Sequence, residues 1–297
     1  MKNYFTWLAK IITLIILLCF VAPLMLLTAI GAMVPSDELK DIANPNAVAV
    51  INMEGMIVDS KDIVAALYKQ AQNEKVKGIV LRINSPGGAV GPSQDIYSAI
   101  RKLKAKKPIV ASMGSIAASG GFYAAIAGSK VFCQPGTLTG SIGVILQVPN
   151  FQKIAEKVGF EMITVKSGAL KDVGNSFRPM LPEERDYLQN TVTTVYDDFV
   201  KAVVESRGIP EAKVKEFADG RVIVGSQALE WKLVDGYGDV YDAARAVFEI
   251  LGTPLKDDEF PKLIYPDDKF GGFKKFIESV TELPKLLSPQ VSFNYSM

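Results

Sequence analysis

Apolar residues recur along this chain with two spacings, one typical of buried strands and one typical of amphipathic helices. Short apolar runs predict strands at residues 47–51, 78–83, 109–113, 130–133 and 161–165. Helical periodicity predicts helices between them, at residues 62–72, 92–104, 120–127 and 150–158. Because strands and helices alternate at this spacing, the pattern predicts βα units and a mostly parallel sheet with flanking helices, which is an α/β fold.

A longer helix is predicted at residues 182–207, with a proline near its start. Its apolar positions share one face: Leu188, Thr191, Val192, Val195, Phe199, Val203 and Val204. Core packing explains such a stripe, so the pattern assigns no function to this helix.

The longest uncharged stretch, residues 11–36, lies near the N-terminus and is dominated by apolar residues. It is long enough to cross a hydrocarbon core, which needs about 20 apolar residues. Lys2 and Lys10 precede it and Asp37 and Glu38 follow it, so the positive-inside rule predicts a cytoplasmic N-terminus with the rest of the chain across the membrane. A cleaved signal peptide is the alternative, but its apolar region normally spans only about 7–15 residues. We therefore favour an uncleaved transmembrane anchor.

These patterns divide the chain into four predicted parts. Residues 1–36 form a cytoplasmic tip and transmembrane anchor, residues 37–46 a linker, residues 47–252 one domain, and residues 253–297 a C-terminal extension. Apolar residues between Phe270 and Leu283 suit one side of a short helix, at a subunit interface or a membrane surface.

Composition narrows the classes of function. With 297 residues, 48% of them hydrophobic, the chain can form one sizeable core. Lys and Arg number 33 against 32 Asp and Glu, without a basic signature, so nucleic acid is not an expected partner. The sequence has neither a Walker-type nor a G-x-G-x-x-G phosphate loop, and we expect neither a cofactor nor a metal. Cys19 and Cys133 are too few for a disulfide framework.

The chain contains no histidine. This excludes Ser-His-Asp and Cys-His arrangements and removes the commonest zinc ligand. A general base must therefore be Lys, Asp, Glu, Tyr or a chain terminus.

A candidate nucleophile stands where an apolar strand meets a helix. Ser119 follows the strand at residues 109–113 and a stretch of small residues, and its neighbours are Ala118, Gly120 and Gly121. Small neighbours of this kind let a hydroxyl project from a tight strand-to-helix bend, as in a nucleophile elbow. The alternative is a turn of small residues that only allows close packing.

Three other loops carry groups that suit a serine nucleophile. The bend at Pro86-Gly87-Gly88 can present backbone N–H groups, which together with the Gly120 amide would make an oxyanion hole. The loop at residues 136–143 offers hydroxyls and glycines, and the loop at residues 165–174 holds Lys166 and Lys171. Without histidine, a lysine held neutral is the sensible activator of a serine, which requires lowering its usual pKa by roughly 3 units. The residues alone leave the choice between the two lysines open.

Four motifs resemble, in this order and spacing, the short form of the bacterial signal peptide peptidase A (SppA) family. They are Asn84-Ser85-Pro86-Gly87-Gly88, Ala117-Ala118-Ser119-Gly120-Gly121, Thr139-Gly140-Ser141-Ile142-Gly143-Val144, and Lys166-Ser167-Gly168 leading to Lys171-Asp172-Val173-Gly174. Four later segments also look like that family: Arg178-Pro179-Met180, Pro182-Glu183-Glu184-Arg185, Asp219-Gly220-Arg221 and Gly236-Tyr237-Gly238.

The resemblance implies a Clp-protease/crotonase-like fold for the protease domain at residues 47–252, preceded by one transmembrane helix. It also implies a homo-oligomeric ring anchored in the bacterial inner membrane, with the catalytic domain extracytoplasmic. The implied activity is that of a serine endopeptidase that degrades remnant signal peptides after signal peptidase has released them. The implied partners are these or other hydrophobic peptides and the lipid bilayer.

Carried over residue by residue, the resemblance implies that Ser119 is the nucleophile and Lys171 the general base. Ser141 matches a serine that hydrogen-bonds the lysine. The backbone N–H groups of Gly88 and Gly120 would form the oxyanion hole, with Gly87 as the alternative to Gly88.

Other functions remain as alternatives. An envelope quality-control protease of the SohB or stomatin-partner type would use the same chemistry on membrane-protein fragments. A crotonase-like acyl-CoA enzyme would use paired backbone N–H groups without a Ser-Lys pair, and a non-catalytic membrane scaffold would need none of these groups.

Overall fold

Strands β1 (Ala47–Glu54), β2 (Val76–Ser85) and β3 (Ile109–Ala118) form the centre of the structure. The computed structural model describes residues 47–266, together with Trp7, Lys10 and Val21. Most side chains of these three strands are buried, as expected of parallel strands with helices on both faces. β2 lies between β1 and β3 and is parallel to both. The predicted parallel βα arrangement is confirmed.

Five shorter strands widen this sheet to eight strands within the described residues. They are β4 (Lys130–Cys133), β5 (Leu138–Gly140), β6 (Val222–Val224), β7 (Gly236–Tyr237) and β8 (Lys262–Ile264). The order is β6-β5-β3-β2-β1-β8, with β4 beside the first half of β3 and β7 beside β4. The pairing of β5 with β6 is antiparallel, and the other pairs are parallel.

Helices cover both faces of the sheet. They are α1 (Lys61–Gln72), α2 (Val90–Leu103), α3 (Gly120–Ala125), α4 (Gln152–Val158), α5 (Pro182–Arg207), α6 (Glu211–Lys215), α7 (Gly225–Glu230) and α8 (Val240–Ile250). One apolar cluster joins the sheet to α1, α2, α3 and α5 through Leu67, Ile96, Phe122 and Phe199. A smaller cluster joins the opposite face to α8, where Val247 packs among strand valines. The sheet is therefore the middle of three layers.

The ends of β2, β3 and β5 meet at one edge of the sheet. These strands are parallel neighbours, and their last residues are Ser85, Ala118 and Gly140. The loops that follow them carry Gly88, Ser119 and other predicted site residues, so the topology collects these residues at one edge.

Two local predictions are wrong. Residues 161–165 form no strand, and Ile163 and Val165 are 82% and 96% exposed, because no described strand lies beside them to complete a ladder. The predicted turn after Met113 is also strand, since residues Ile116 to Ala118 pair with β5 and extend β3 up to the serine.

Several sequence predictions fall on other parts of the chain. The anchor at residues 11–36 is described only at Val21, and the linker at residues 37–46 and the apolar residues from Phe270 to Leu283 lie outside the described residues. Within the described part, no helix is both long enough and apolar enough to cross a membrane.

Candidate active site

Ser119 occupies a sharp turn between β3 and α3. Its backbone has φ 51° and ψ −121°, a conformation that residues other than glycine rarely adopt. Such strain costs on the order of 1–3 kcal/mol and persists only where the surroundings impose it. Here the Ser119 N–H donates to the Gly140 carbonyl over 2.8 Å, and the Ser119 carbonyl accepts from the Tyr123 N–H over 2.8 Å. The strand, strained serine and helix together have the form of a nucleophile elbow.

The glycine bend after β2 lies directly against this turn. A Cβ atom on Gly87, which has φ +100°, would lie 2.7 Å from the Gly120 nitrogen and 2.8 Å from the Ser119 Cβ. The amides of Gly88 and Gly120 are close, since a Cβ atom on Gly120 would lie 3.4 Å from the Gly88 nitrogen. Neither of these two N–H groups donates a hydrogen bond to another described residue, whereas the Gly87 N–H donates to Ser85 Oγ over 3.1 Å. The bend therefore offers the Gly88 and Gly120 N–H groups, rather than that of Gly87, as free donors.

Ser141 stands at the equivalent point of the neighbouring strand. It directly follows β5, it also has φ 51°, and its N–H donates to the Arg221 carbonyl over 2.8 Å. Because Gly140 at the end of β5 pairs with Ala118 at the end of β3, Ser141 and Ser119 leave the sheet side by side.

These groups face one cavity of about 450 Å³. Ser119, Ser141, Gly88 and Gly120 all line it. Most of its remaining wall is apolar, formed by Met56, Val90, Tyr123, Val144, Ile145, Val195 and Phe199. The structure thus brings four of the five predicted site residues to one apolar cavity.

Among the described residues that line this cavity, two have side chains that can gain or lose a charge, Tyr123 and Asp219. Burial, with the neighbouring Tyr97, raises the pKa of Tyr123 to about 12, so its hydroxyl stays protonated near neutral pH. Hydrogen bonds from the Arg221 guanidinium lower the pKa of Asp219 to about 2, and Arg221 Nε lies 2.8 Å from Asp219 Oδ1. Neither group is therefore poised to accept a proton from Ser119. The described residues also contain no cluster of three or more Cys, Asp or Glu side chains that would hold a metal ion.

Lys171, the fifth predicted residue, does not line this cavity. It is exposed, on a segment comprising residues 144–181 that we call the lysine segment. Its backbone N–H donates to the Gly168 carbonyl over 3.1 Å, but its side chain makes no hydrogen bond or ion pair with a described residue. Lys166, the other candidate base, is differently placed, because its ammonium is 2.5 Å from Asp172 Oδ1 and also donates to the Ala169 carbonyl. The structure therefore leaves Lys171 as the uncommitted amine of the pair.

Comparison with known proteins agrees with this geometry. The sequence model of peptidase family S49 matches residues 101–251, and that of the Clp protease family matches residues 46–139. A protein of Synechocystis sp. that is named as a protease is 42% identical over 69% of this chain and 74% of its own length. A protein of Enterococcus faecium named as signal peptide peptidase SppA is 34% identical over 71% of this chain and 65% of its own length. Protease 4 of Haemophilus influenzae is 31% identical over 72% of this chain and 36% of its own length.

The chain belongs to peptidase family S49. It is accordingly a serine protease, and the resemblance found in its motifs is confirmed. The match to the Clp protease family also confirms the predicted Clp-protease-like α/β fold.

Sequence reasoning missed part of the cavity wall of this S49 protease. Val195 and Phe199 of α5 line the cavity, although their stripe was assigned to core packing alone. Phe199 does both, since it is buried and its ring lies 4.9 Å from that of Tyr123. Met56, in the loop after β1, is also part of the wall and carried no pattern that would have singled it out.

Proposed function

We propose that this S49 protease is an endopeptidase in which Ser119 is the nucleophile and Lys171 the general base. The observation that carries the proposal is the strained Ser119 turn, which faces an apolar cavity beside two free backbone N–H groups. Ser141, at the end of the adjacent strand, would hold the lysine amine by a hydrogen bond.

In this mechanism neutral Lys171 accepts the Ser119 Oγ proton while Oγ attacks a peptide carbonyl carbon. The N–H groups of Gly88 and Gly120 donate to the oxyanion of the tetrahedral intermediate, where one such donor is typically worth 10²–10³ in kcat. The lysine ammonium then protonates the leaving amine as the peptide bond breaks. Water attacks the acyl-enzyme with Lys171 again as base, which releases the acid product and restores Ser119.

The position of Lys171 supports an assembly in which a second copy supplies the base. The lysine segment exposes large apolar side chains, among them Ile145, Val158 and Ile163. Exposed apolar patches of this kind commonly mark interaction surfaces. If each copy packs this segment against the cavity of the next, Lys171 of one meets Ser119 of the other, and repetition of this contact closes a ring.

The apolar cavity wall supports hydrophobic peptides as substrates. Tyr123, Val195 and Phe199 give it aromatic and aliphatic surface, which favours uncharged side chains beside the cleaved bond. Remnant signal peptides, whose central region is apolar, fit this chemistry, and a relative is named for that substrate.

The sequence also supports a location for this activity. The uncharged residues 11–36, with Lys2 and Lys10 before them, suit a single-pass anchor with the N-terminus in the cytoplasm. The protease domain at residues 47–252 would then act on the far side of the bacterial inner membrane, close to the bilayer that holds its substrates.

Three variants of the full-length chain test the dyad. Ser119→Ala and Lys171→Ala should each abolish hydrolysis of a fluorogenic apolar peptide, with unchanged thermal unfolding, and Ser119→Ala should also lose labelling by a fluorophosphonate probe. Lys157→Ala, which removes another exposed lysine of the same segment, should retain activity. Full turnover by either of the first two variants would refute the dyad.

Mixing the two inactive variants tests the assembly. In a ring formed from equal amounts of Ser119→Ala and Lys171→Ala copies, about one quarter of the sites would combine an intact serine with an intact neighbouring lysine. Activity near that fraction of the parent value is expected. If both groups act within one chain, the mixture stays inactive.

A further inference from the structure

A chain of alternating charges ties the lysine segment to helix α5. Lys166 Nζ contacts Asp172 Oδ1 at 2.5 Å, and Asp172 Oδ2 accepts from Arg178 Nε at 2.9 Å. Arg178 in turn holds both carboxylate oxygens of Glu184, one of them at 2.8 Å from Nη1. Glu184 lies in the first turn of α5. The linkage therefore runs from the residue next to Lys171 to the start of a 26-residue helix.

Glu184 is the most buried member of this linkage. Its side chain is only 2% exposed, and a buried carboxylate must be paired to be tolerated. Besides Arg178, it accepts the Leu181 N–H over 3.0 Å. Arg178 uses its planar fork on Glu184, a two-pronged contact that fixes direction as well as distance. The buried carboxylate cannot exchange Arg178 for water without leaving a charge unpaired.

Asp172 is the member of the linkage that lies next to Lys171 in the chain. Both of its carboxylate oxygens are committed, one to Lys166 and one to Arg178. Its backbone carbonyl also accepts from Arg178 Nη2 at 3.3 Å and from the Asn175 N–H at 3.1 Å. The residue that follows Lys171 is thus held through its side chain and through its backbone.

Apolar packing within the described chain does little to fix the same segment. Between residues 143 and 183 of the described chain, Ala155 is the one buried residue. Three phenylalanines, Phe151, Phe160 and Phe177, form a small contact with ring centroids 5.2 Å and 6.3 Å apart, and Phe177 directly precedes Arg178 of the linkage. The charged linkage adds a side-chain restraint directly beside Lys171, because Asp172 takes part in it.

The linkage also reaches the helix that lines this chain's own cavity. Glu184 lies in the first turn of α5, and Val195 and Phe199 farther along the same helix line the cavity. One helix thus joins the residues that hold the lysine segment to the wall of the same chain's cavity.

We propose that Asp172, Arg178 and Glu184 are positioning residues that hold the backbone beside Lys171 so that its amine meets Ser119 correctly. This inference rests on the proposed dyad and assigns a role to residues that do not touch the substrate. Catalytic geometry is sensitive enough for such a role, because a misplacement of about 1 Å can cost 10²-fold in rate. Both carboxylates of the linkage are charged near neutral pH. Hydrogen bonds from Arg178 lower the pKa of Asp172 and lower that of Glu184 to about 2.

The test compares Glu184→Gln with Glu183→Gln in the full-length protein. The two residues are adjacent, but the Glu183 side chain is exposed and makes no hydrogen bond or ion pair with a described residue of the linkage. Glu184→Gln should lower kcat for an apolar peptide by roughly 10- to 100-fold with KM changed less than about threefold. Glu183→Gln should stay within about twofold of the parent. Asp172→Asn, at a more exposed point of the linkage, provides the same test if Glu184→Gln does not fold.

A second measurement separates positioning from general stability. Hydrolysis of an activated ester is measured both with Lys171 intact and in the Lys171→Ala background, each with and without Glu184→Gln. A residue that acts through Lys171 has nothing left to position there, so the added change should have no effect. An equal loss in both backgrounds, or an unchanged kcat in Glu184→Gln, would overturn the positioning role while leaving the dyad intact. Full activity of Lys171→Ala alone would overturn both.

Discussion

The Gly88→Ala variant tests how closely the glycine bend is fitted to the rest of the site. A Cβ atom at Gly88 would lie 2.1 Å from the Ile57 carbonyl oxygen and 2.7 Å from both the carbon and the nitrogen of Ile57. All three are backbone atoms, so no side-chain rotation can relieve the contact. Two hydrogen bonds hold the backbone there, from Ile57 N–H to the Gly87 carbonyl at 2.9 Å and from Ala89 N–H to the Ile57 carbonyl at 2.7 Å.

These contacts set the expected loss of unfolding free energy in Gly88→Ala. Overpacking against a fixed neighbour typically costs about 1–3 kcal/mol. Weakening each of the two hydrogen bonds adds about 0.5–1.5 kcal/mol, so the expected loss of unfolding free energy is about 2–6 kcal/mol. Because the Gly88 N–H would move away from the proposed oxyanion position, kcat should fall by about 10²–10³ in the molecules that remain folded.

The matched control is Gly91→Ala, three positions farther along the chain. Gly91 lies in the first turn of α2, has an ordinary φ, and has no atom within 4 Å of its Cβ position. Alanine there should be neutral or stabilising by about 0.5–1 kcal/mol. Stability is measured by urea unfolding, and kcat is measured per site labelled with a serine-reactive probe. Parent-like stability and kcat in Gly88→Ala would refute the close fit and the role of this N–H.

Three further predictions concern stability and reactivity. Asp235→Ala should cost about 1.5–3 kcal/mol in urea unfolding with unchanged kcat, because its carboxylate accepts from Arg207 and from the Val131 N–H, and none of the three residues lines the cavity. The lowered pKa of Glu184 stabilises the fold above about pH 4, and this contribution is lost as pH falls toward about 2. The drop in urea midpoint between pH 5 and pH 3 should therefore be smaller in Glu184→Gln than in the parent, and an equal drop would contradict this. Burial raises the pKa of the Cys133 thiol to about 11, so a maleimide at pH 7.5 should modify it only after unfolding, as followed by peptide mass spectrometry.

Local patterns predicted the elements of the core well because each depends mainly on its own residues. The apolar run of β4 and the long stripe of α5 have the predicted bounds, Lys130–Cys133 and Pro182–Arg207. The strand predicted at residues 161–165 was wrong because strand formation also depends on residues elsewhere in the chain. A strand needs a neighbour to complete its hydrogen bonds, and alternation in the sequence does not reveal whether a neighbour is present.

For the candidate site too, the sequence predicted local features, whereas contacts between distant residues became visible only in the structure. The sequence alone pointed to a serine turn and, since the chain lacks histidine, to a lysine as base. It left Gly87 and Gly88 as alternative donors, and the structure separates them because the Gly87 N–H is taken by Ser85 Oγ. It also gave no reason to connect Glu184 with Lys171, since the connection depends on how Arg178 folds back between them.

By itself, the sequence determined the alternation of strands and helices, the small residues around Ser119, and the absence of a histidine base. These properties are local, because they depend on residue type and on spacing along a few turns or one strand. Only the tertiary structure decided that β5 would pair with the end of β3 and bring Ser141 beside Ser119. It also decided that α5 would form the cavity wall and that Lys171 would lie on an exposed segment. These outcomes depend on contacts between residues far apart in the chain, which no pattern of neighbouring residues specifies.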